Sequence, residues 1–449
     1  MTPPPKKIIE RKDIIISEIN SYLTRLFPIC RSLTGNGNRK TLEILKEIIP
    51  LNILEIPSGT KVYDWVIPDE WNINDAFIST MDGERIVDFN ECNLHLVGYS
   101  EPVEKVMMWG DLKSKLHLHS EDPDKIPYRT SYYHRDWGFC VTLQQYETLK
   151  KINGPFHVVI NSQFEPGSLT YGELLLPGDS DKEFLVSTYI CHPSMANDSL
   201  SGVILTAFLA RYIMSLPKQR WSYRFVFAPE TIGAIAYSCL NEGKLKDIDM
   251  GLVVTTAGGP GIFGYKQSFD STHPINDMIE DVFNENNIDF VRYPFDIHGS
   301  DERQYSSIGF RINVATITKD KYYEYPEYHS SADNLSFVKP EYIYESFRLY
   351  CSMIGKIEKR KVYVNRVPFC EPMLSKRDLY SILGGGLIPD DSEMGRLDII
   401  LWILFLCDGT VSVQDLSKRL AVPESVIERI CSELAEQNLL EDCSATHAN

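Results

Sequence analysis

The stretch LVSTYICHPSMANDSLSG, residues 185–202, places a histidine and an aspartate six positions apart where an apolar run gives way to small polar residues. The apolar run is typical of a buried strand, and SLSGVILTAFLARYIMSL predicts an amphipathic helix directly after it. Ligands of α/β proteins bind where strands end and helices begin. His192 and Asp198 therefore lie at a junction where a functional site is expected.

Three more junctions carry polar residues of the same kind. The segments FVFAPETIGAIAY, DIHGSDERQY and EYPEYHSSADN contribute Glu230, Asp301 with Arg303 and Tyr305, and His329 with Asp333. The alternation of strand-like and helix-like segments from residue 170 onward predicts an α/β sandwich with a largely parallel sheet. Parallel strands bring their carboxyl ends together, so these polar residues are expected near one another.

Each residue also has a purely structural interpretation. His192 could be a half-buried residue at a strand end, Asp198 could cap the following helix, and Glu230 could be a first-turn acid facing the helix dipole. His329 could be a surface histidine. Imidazole and carboxylate are ligands of zinc, and a neighbouring carboxylate can act as a general base. All four residues stand at sheet ends, which favours a shared zinc site over four unrelated structural roles.

The flanking sequence predicts three additional regions. Residues 1–59 read as helices that belong to the α/β domain, and residues 60–155 carry short aromatic and β-branched runs typical of an inserted β-rich domain. The α/β domain resumes at 156–365 with the candidate site. Residues 370–449 contain three helical segments with short turns, the arrangement of a helix-turn-helix or winged-helix domain.

Composition limits the function classes. The 449 residues carry 62 acidic and 45 basic side chains, and the net charge of −17 argues against nucleic acid as the main partner. No apolar run approaches a membrane span, and the charged N-terminus does not resemble a signal peptide. The ten cysteines are scattered singly, as in reduced proteins. These features predict a cytoplasmic protein with no membrane partner.

The C-terminal helices do not have the charge of a DNA-reading module. Residues 411–442 contain seven acidic and three basic side chains, whereas a recognition helix should be basic. Nucleic acid is therefore not expected as a partner. A homo-oligomer contact or a protein partner is the preferred interpretation of this domain, and a transcriptional role is the weaker alternative.

The motifs TYICHPSMANDSLSG, APETIGAIAY, HGSDERQY and YHSSADN resemble those of aminopeptidase-like zinc hydrolases. LFPICRSLTGNGNRKTL, IPSGTKVYDWVIPDEWNI and PYRTSYYHRDWGFC also resemble a bacterial family of this type, so the similarity extends over nearly the whole chain. It implies an aminopeptidase-like three-layer α/β sandwich with a mixed sheet, an inserted β-rich domain and a C-terminal winged helix.

The resemblance also implies roles for individual residues. His192 matches the early metal-binding histidine, Asp198 the bridging aspartate, Glu230 the general base and His329 the late histidine. The pattern departs where Thr231 replaces a second glutamate, where Thr255 and Thr256 replace a further aspartate, and where Ser194 replaces an aspartate that would orient the imidazole. With two carboxylates absent, one zinc ion held by His192, Asp198 and His329 is expected.

The expected function is zinc-dependent hydrolysis of an amide or peptide bond in a small substrate, with Glu230 as general base. Arg303 is a candidate clamp for a substrate carboxylate, Asp301 or Glu302 a candidate acceptor for an amino group, and Tyr305 part of the pocket wall. An ion pair within the loop is the alternative. The insert contributes aromatic and basic residues that could close over the cleft, although aromatic runs more often belong to a core: Tyr132, Tyr133, Arg135 and Trp137.

A second function class remains open. Loss of two carboxylate ligands is also compatible with a degenerate hydrolase that binds a ligand without turnover. Such a protein would be linked to polysaccharide or cell-envelope precursor metabolism.

Overall fold

The structure, a computed structural model, describes residues 11–180, 182–380 and 395–443. The chain forms two compact units, the first made of Met1–Leu176, Phe184–Pro217 and Tyr223–Met353, and the second of Pro177–Glu183, Lys218–Ser222 and Ile354–Asn449. The sequence predicts no signal peptide at the N-terminus. This prediction falls on the first ten residues, which lie outside the described part of the chain. Among the described residues, no helix is both long and apolar enough to cross a membrane.

Helices occur in both units. In chain order they are Lys12–Leu26, Asn36–Leu45, Trp109–Leu112, Leu143–Lys151, Gly202–Met214, Ile232–Leu240, Glu242–Leu245, Pro274–Glu285, Glu302–Tyr305, Pro340–Lys359, Arg396–Leu406, Val413–Leu420 and Glu424–Glu436. Shorter helical turns cover Asn93–His95, Lys113–Lys115, Ala196–Ser201 and Leu374–Arg377.

An eight-stranded sheet forms the centre of the first unit. Its spatial order is Asn52–Pro57, Ser168–Leu176, Ser222–Ala228, Glu183–Tyr189, Met250–Val254, Asn313–Thr318, Phe263–Lys266 and Phe290–Tyr293. Glu183–Tyr189, Met250–Val254 and Asn313–Thr318 run parallel. Asn52–Pro57 pairs antiparallel with Ser168–Leu176, and Phe263–Lys266 pairs antiparallel with Asn313–Thr318 but parallel with Phe290–Tyr293. The α/β class with a mixed sheet is thereby confirmed. The parallel strands end at one edge of the sheet, where the loops after residues 189, 254 and 318 begin.

The helix Gly202–Met214 differs from its prediction. It is buried on nearly every face, with only Arg211 and Met214 outside the core. A Cβ at Gly202 would lie 2.4 Å from the carbonyl oxygen of Val254, so glycine is needed for the helix to approach that strand. On another face, the ring of Phe208 contacts Tyr22 of the helix Lys12–Leu26. The amphipathic prediction is wrong because two layers cover this helix.

The insert is built on a four-stranded antiparallel sheet with the order Arg85–Asp88, Glu70–Thr80, Phe156–Glu165 and Val103–Met107. The strand Phe156–Glu165, just after the predicted boundary at residue 155, completes this small sheet and is followed by Ser168–Leu176 of the large sheet. The insert also contains two short two-stranded sheets. One pairs Lys61–Val62 with Trp65–Val66, and the other pairs Leu116–His117 with Phe139–Cys140. One apolar cluster contains side chains from both sheets, including Ile78 and Val226. The insert thus shares a core with the large sheet.

The second unit has the winged-helix arrangement. Its three-stranded antiparallel sheet comprises Asp408–Ser412, Val362–Asn365 and Leu440–Asp442. The helices Arg396–Leu406, Val413–Leu420 and Glu424–Glu436 pack around a separate apolar core. Residues 381–394 and 444–449 of the predicted 370–449 domain lie outside the described part. The sequence predicted the helices but not the short strands, which carry little periodicity.

Candidate metal and catalytic site

The loop after the strand Glu183–Tyr189 carries His192 and Asp198, and a second loop anchors it. The Asp333 carboxylate accepts hydrogen bonds from the backbone N–H groups of Asn197 at 2.6 Å and Asp198 at 2.9 Å. Asp333 is fully buried and lies four residues after His329. The contact therefore brings the two halves of the site together although they are far apart in the sequence.

His192, Asp198 and His329 form a group that could hold a metal ion, because one ligand atom from each lies within 4.8 Å of the others. The distance to Asp198 Oδ2 is 3.0 Å from His329 Nε2 and 3.9 Å from His192 Nε2. His329 Nε2 is buried, and apart from the Asp198 carboxylate it has no polar partner among the described residues. A buried ring nitrogen that faces only a carboxylate fits a cation bound by both.

The protonation of these residues also suits a cation. Burial lowers the pKa of His192 to about 4, so the imidazole is neutral near pH 7 and has a free lone pair. Burial would raise the pKa of Asp198, but the neighbouring His192 and His329 and the Tyr189 hydroxyl lower it to about 2. A neutral imidazole and an ionised carboxylate are the forms that bind metals.

The second oxygen of Asp198 is already engaged. The Tyr189 hydroxyl donates a hydrogen bond to Asp198 Oδ1, and Thr255 Oγ1 donates to the Tyr189 oxygen at 2.6 Å. Asp198 does not cap a helix, because its oxygens face Tyr189 and the two histidines. The hydroxyl chain lies where the resemblance implied a further aspartate, at Thr255.

Glu230 lies beside the metal-binding group. Its Oε2 is 3.7 Å from His192 Nε2, and its side chain is 26% exposed. Burial, followed by the charges of Asp301 and Asp198, raises its pKa well above the ordinary value. The next residue, Thr231, has a positive φ of 61° and donates its N–H to Asp301 Oδ1 at 2.7 Å.

The structure separates the three predicted substrate contacts. Asp301 is buried beside Glu230, and burial raises its pKa to about 7. Arg303 is exposed and donates to the carbonyl oxygen of Ile297 at 3.2 Å. Tyr305 is 0% exposed, and its hydroxyl lies 3.0 Å from Ser187 Oγ in the sheet. Neither Arg303 nor Tyr305 contacts the metal-binding group, and among described residues Arg303 forms no ion pair in its loop.

A segment of the insert crosses the site, and its closest residue was not predicted. Tyr128 donates its backbone N–H to the His329 carbonyl oxygen at 2.8 Å. Its ring centroid lies 5.3 Å from that of His192 and 5.1 Å from that of His329. Pro127 and Ser330 form an isolated β-bridge beside it. The motif PYRTSYYHRDWGFC contained the signal, since Tyr128 directly follows its proline.

The predicted insert residues have different positions. The Tyr132 and Tyr128 hydroxyl oxygens are 2.7 Å apart, so Tyr132 belongs to the site. Tyr133 is exposed and packs edge-on against Trp65. Arg135 forms an exposed ion pair with Asp69 at 3.0 Å, and Trp137 lies under the Lys115 ammonium.

Comparison with known proteins supports this fold assignment. The model of a family described as a domain of unknown function, DUF4910, matches residues 20–360, and a winged helix-turn-helix model, HTH_47, matches residues 361–442. A Clostridium acetobutylicum protein named "Putative polysaccharide biosynthesis protein with aminopeptidase-like domain" is 43% identical over 411 residues, which cover 92% of this chain and 93% of that protein.

Two solved structures extend the comparison. A crystal structure described as a "putative peptidase" from Clostridium acetobutylicum has a TM-score of 0.80 at 40% identity, with 97% of this chain and 99% of that chain covered. A zinc aminopeptidase from Bacillus subtilis has a TM-score of 0.54 at 12% identity and covers 76% of this chain and 93% of that chain. The second similarity shows an aminopeptidase-like fold.

Proposed function

Since the chain belongs to the DUF4910 family and has an aminopeptidase-like fold, we propose that it is a zinc-dependent hydrolase that cleaves an amide bond in a small substrate. The observation that carries the proposal is the arrangement of His192, Asp198 and His329 with Glu230 directly beside them. A metal ligand set with an adjacent carboxylate is the composition that metal-assisted hydrolysis uses.

His192, Asp198 and His329 would hold one zinc ion. When bound, the ion polarises the scissile carbonyl and lowers the pKa of a water molecule. A single ion is favoured because Tyr189 occupies the second oxygen of Asp198, which would otherwise be free for another cation. Thr231 and Thr255 add no charge that would hold a second ion.

Glu230 acts as the proton carrier. Its raised pKa suits a group that takes a proton from the attacking water at neutral pH and then gives it to the leaving nitrogen. The side chain of Glu230 is partly exposed, which suits a group that must reach a substrate. The backbone contacts of Glu230 and Thr231 fix the carboxylate at the strand end.

The tyrosine pair formed by Tyr128 and Tyr132 contributes a hydrogen-bond donor to the substrate. Burial raises the pKa of both phenols well above their usual range, so both stay protonated. One of the two hydroxyls donates its proton to the other. The proton of the accepting hydroxyl has no acceptor among the described residues. That proton is available to a substrate oxygen such as the scissile carbonyl.

The substrate proposal follows from the relatives and the wall of the site. The Clostridium acetobutylicum relative is named for polysaccharide biosynthesis, and the insert presents aromatic rings beside the metal-binding group. An amide carried on a saccharide precursor is therefore our preferred substrate class. Short peptides and aminoacyl amides are the alternative.

The substitution Glu230→Gln tests the mechanism. The variant should keep its zinc, because Glu230 is outside the proposed ligand set, while turnover falls by about a hundredfold or more, the scale of general acid–base catalysis. Assays would use N-acyl amino sugars, aminoacyl amides and short peptides at equal zinc content. Glu242→Gln, which alters an exposed carboxylate paired with Lys246, is the matched control and should retain full activity.

Binding without catalysis is the second candidate. It is favoured by the threonines at positions 231 and 255, where the resemblance implies carboxylate ligands. No turnover of any substrate class by the zinc-loaded protein would support this candidate. Equal rates for Glu230→Gln and the unchanged protein would instead remove Glu230 from the mechanism.

A further inference from the structure

The thiol of Cys191 lies between a proposed metal ligand and the proposed base. Its sulfur is 3.6 Å from His192 Nδ1 and accepts a hydrogen bond from the Glu230 N–H at 3.3 Å. Cys191 is fully buried. One side chain therefore contacts both functional residues.

The metal-binding form of His192 needs a partner for its other nitrogen. If Nε2 faces Asp198 with its lone pair, Nδ1 must carry the proton in the neutral ring. Metal-binding histidines usually donate this proton to a carboxylate, a carbonyl or water. Among the described residues, the sulfur of Cys191 is the contact recorded for Nδ1.

The position expected to orient the ring does not do so. Ser194, which the resemblance aligns with an orienting aspartate, donates its hydroxyl to the carbonyl oxygen of Phe27 at 2.9 Å. Arg31 holds the backbone instead, because its Nε donates to the His192 carbonyl oxygen at 2.9 Å. The imidazole nitrogen Nδ1 is contacted by Cys191.

We propose that Cys191 is a positioning residue whose sulfur accepts hydrogen bonds from His192 Nδ1 and the Glu230 backbone, and so fixes the ligand tautomer and the location of the base. This inference rests on the proposed zinc site. The thiol takes the place of the usual orienting carboxylate in a site that already contains Asp198, Glu230 and Asp301. A neutral orienting group adds no further carboxylate to this buried space.

A ligand role for Cys191 fits the structure less well. Cys191, His192 and Glu230 also offer ligand atoms within 4.8 Å of one another. However, a thiol binds metal as the thiolate. A thiolate here would lie beside the carboxylates of Glu230 and Asp198 in a buried space. The existing N–H contacts suit a sulfur that acts as an acceptor.

Two substitutions separate hydrogen bonding from packing. Cys191→Val fills the space but has no acceptor atom, whereas Cys191→Ser keeps one. Zinc affinity of the full chain would be measured by competition with a chromophoric chelator, using zinc as the only probe. Cys351→Val, at a buried cysteine in the helix Pro340–Lys359, is the matched control for repacking a thiol.

Cys191→Val should weaken zinc binding by about tenfold to a hundredfold, the usual effect of removing an orienting partner, while Cys191→Ser and Cys351→Val stay close to the unchanged protein. Equal affinity for Cys191→Val and Cys191→Ser would overturn the positioning role and leave the zinc site standing. Failure of the unchanged protein to bind zinc would overturn both the inference and the proposed function.

Discussion

The strand-end loops of the first unit and the winged-helix unit differ in how far their charged side chains are buried. The loops bury the carboxylates of Asp198, Asp301, Glu302 and Asp333 almost completely. In the described part of the second unit, no charged side chain is buried, and ion pairs such as Arg396 with Glu433 lie at the surface. Because buried charges destabilise a fold unless they are compensated, their concentration marks the loops as the functional region. Substitutions should therefore have large effects in the loops and small effects in the second unit.

Loss of a proposed metal ligand should have the largest effect. His192→Ala and His329→Ala each remove one of the three protein ligands, so the purified variants should contain almost no zinc and show no hydrolysis. Elemental analysis after dialysis measures the zinc content. His157→Ala, at a partly exposed histidine of the insert, should retain it. A full equivalent of zinc in either ligand variant would contradict the assignment.

The metal-free protein should lose stability in acid through His192. Burial lowers the pKa of His192 to about 4, whereas the unfolded chain binds this proton near pH 6.5. The stabilising contribution is therefore complete above about pH 6.5 and declines as the pH falls toward 4. Across this window, the free energy of unfolding should fall by up to about 3 kcal/mol more than in His192→Gln.

Urea unfolding of both metal-free proteins at stepped pH measures this difference. The buried Asp301 and Asp333, whose pKa values are raised to about 7, contribute with the opposite sign. Both proteins contain them, so their contributions largely cancel in the comparison. Parallel stability profiles would show that His192 is not the acid-sensitive group.

The Tyr189 contact should affect zinc affinity but not the number of ions. The unchanged protein should bind about one zinc per chain. Tyr189→Phe should lower the affinity for that ion by about tenfold, because the hydrogen bond to Asp198 is lost. Titration with an indicator gives both values. Two tightly bound ions in the unchanged protein would refute the single-ion proposal.

Changes in the second unit should have the smallest effect. The full chain should not bind duplex DNA with submicromolar affinity at physiological salt, because residues 411–442 carry an excess of acidic side chains. Removal of residues 361–449, which contain the winged-helix match at 361–442, should leave the zinc content unchanged. Tight, salt-sensitive DNA binding would support a transcriptional role. Loss of zinc after the truncation would contradict the expectation that changes in the second unit have small effects.

Local sequence predicted the elements of the site well. The strands that precede His192 and Glu230 are continuous buried runs, and such runs are recognisable without knowledge of their neighbours. The mixed sheet and the winged helix followed from the element order and the resemblance. The roles of Arg303 and Tyr305 were harder to anticipate, because one helical turn, Glu302–Tyr305, directs one side chain to solvent and the other into the core.

The sequence did not show that Tyr128 is the insert residue on the site, because the residues named for the cleft were Tyr132, Tyr133, Arg135 and Trp137. Lys125 donates to the carbonyl oxygen of Pro326 at 3.0 Å although the two residues are 201 positions apart. Tyr128 reaches His329 through the same contact region. Periodicity describes only neighbours along the chain, so it contains no information about this pairing.

The sequence by itself determined which residue types stand at the strand ends, including His192 and Asp198, because strand and helix patterns are local properties of the chain. The tertiary structure alone decided that Tyr189 occupies one oxygen of Asp198, that Cys191 contacts both His192 and Glu230, and that Tyr128 covers the site. Hydrogen bonds and charge interactions depend on distances in space of a few ångströms. Those distances are set when distant segments pack against one another.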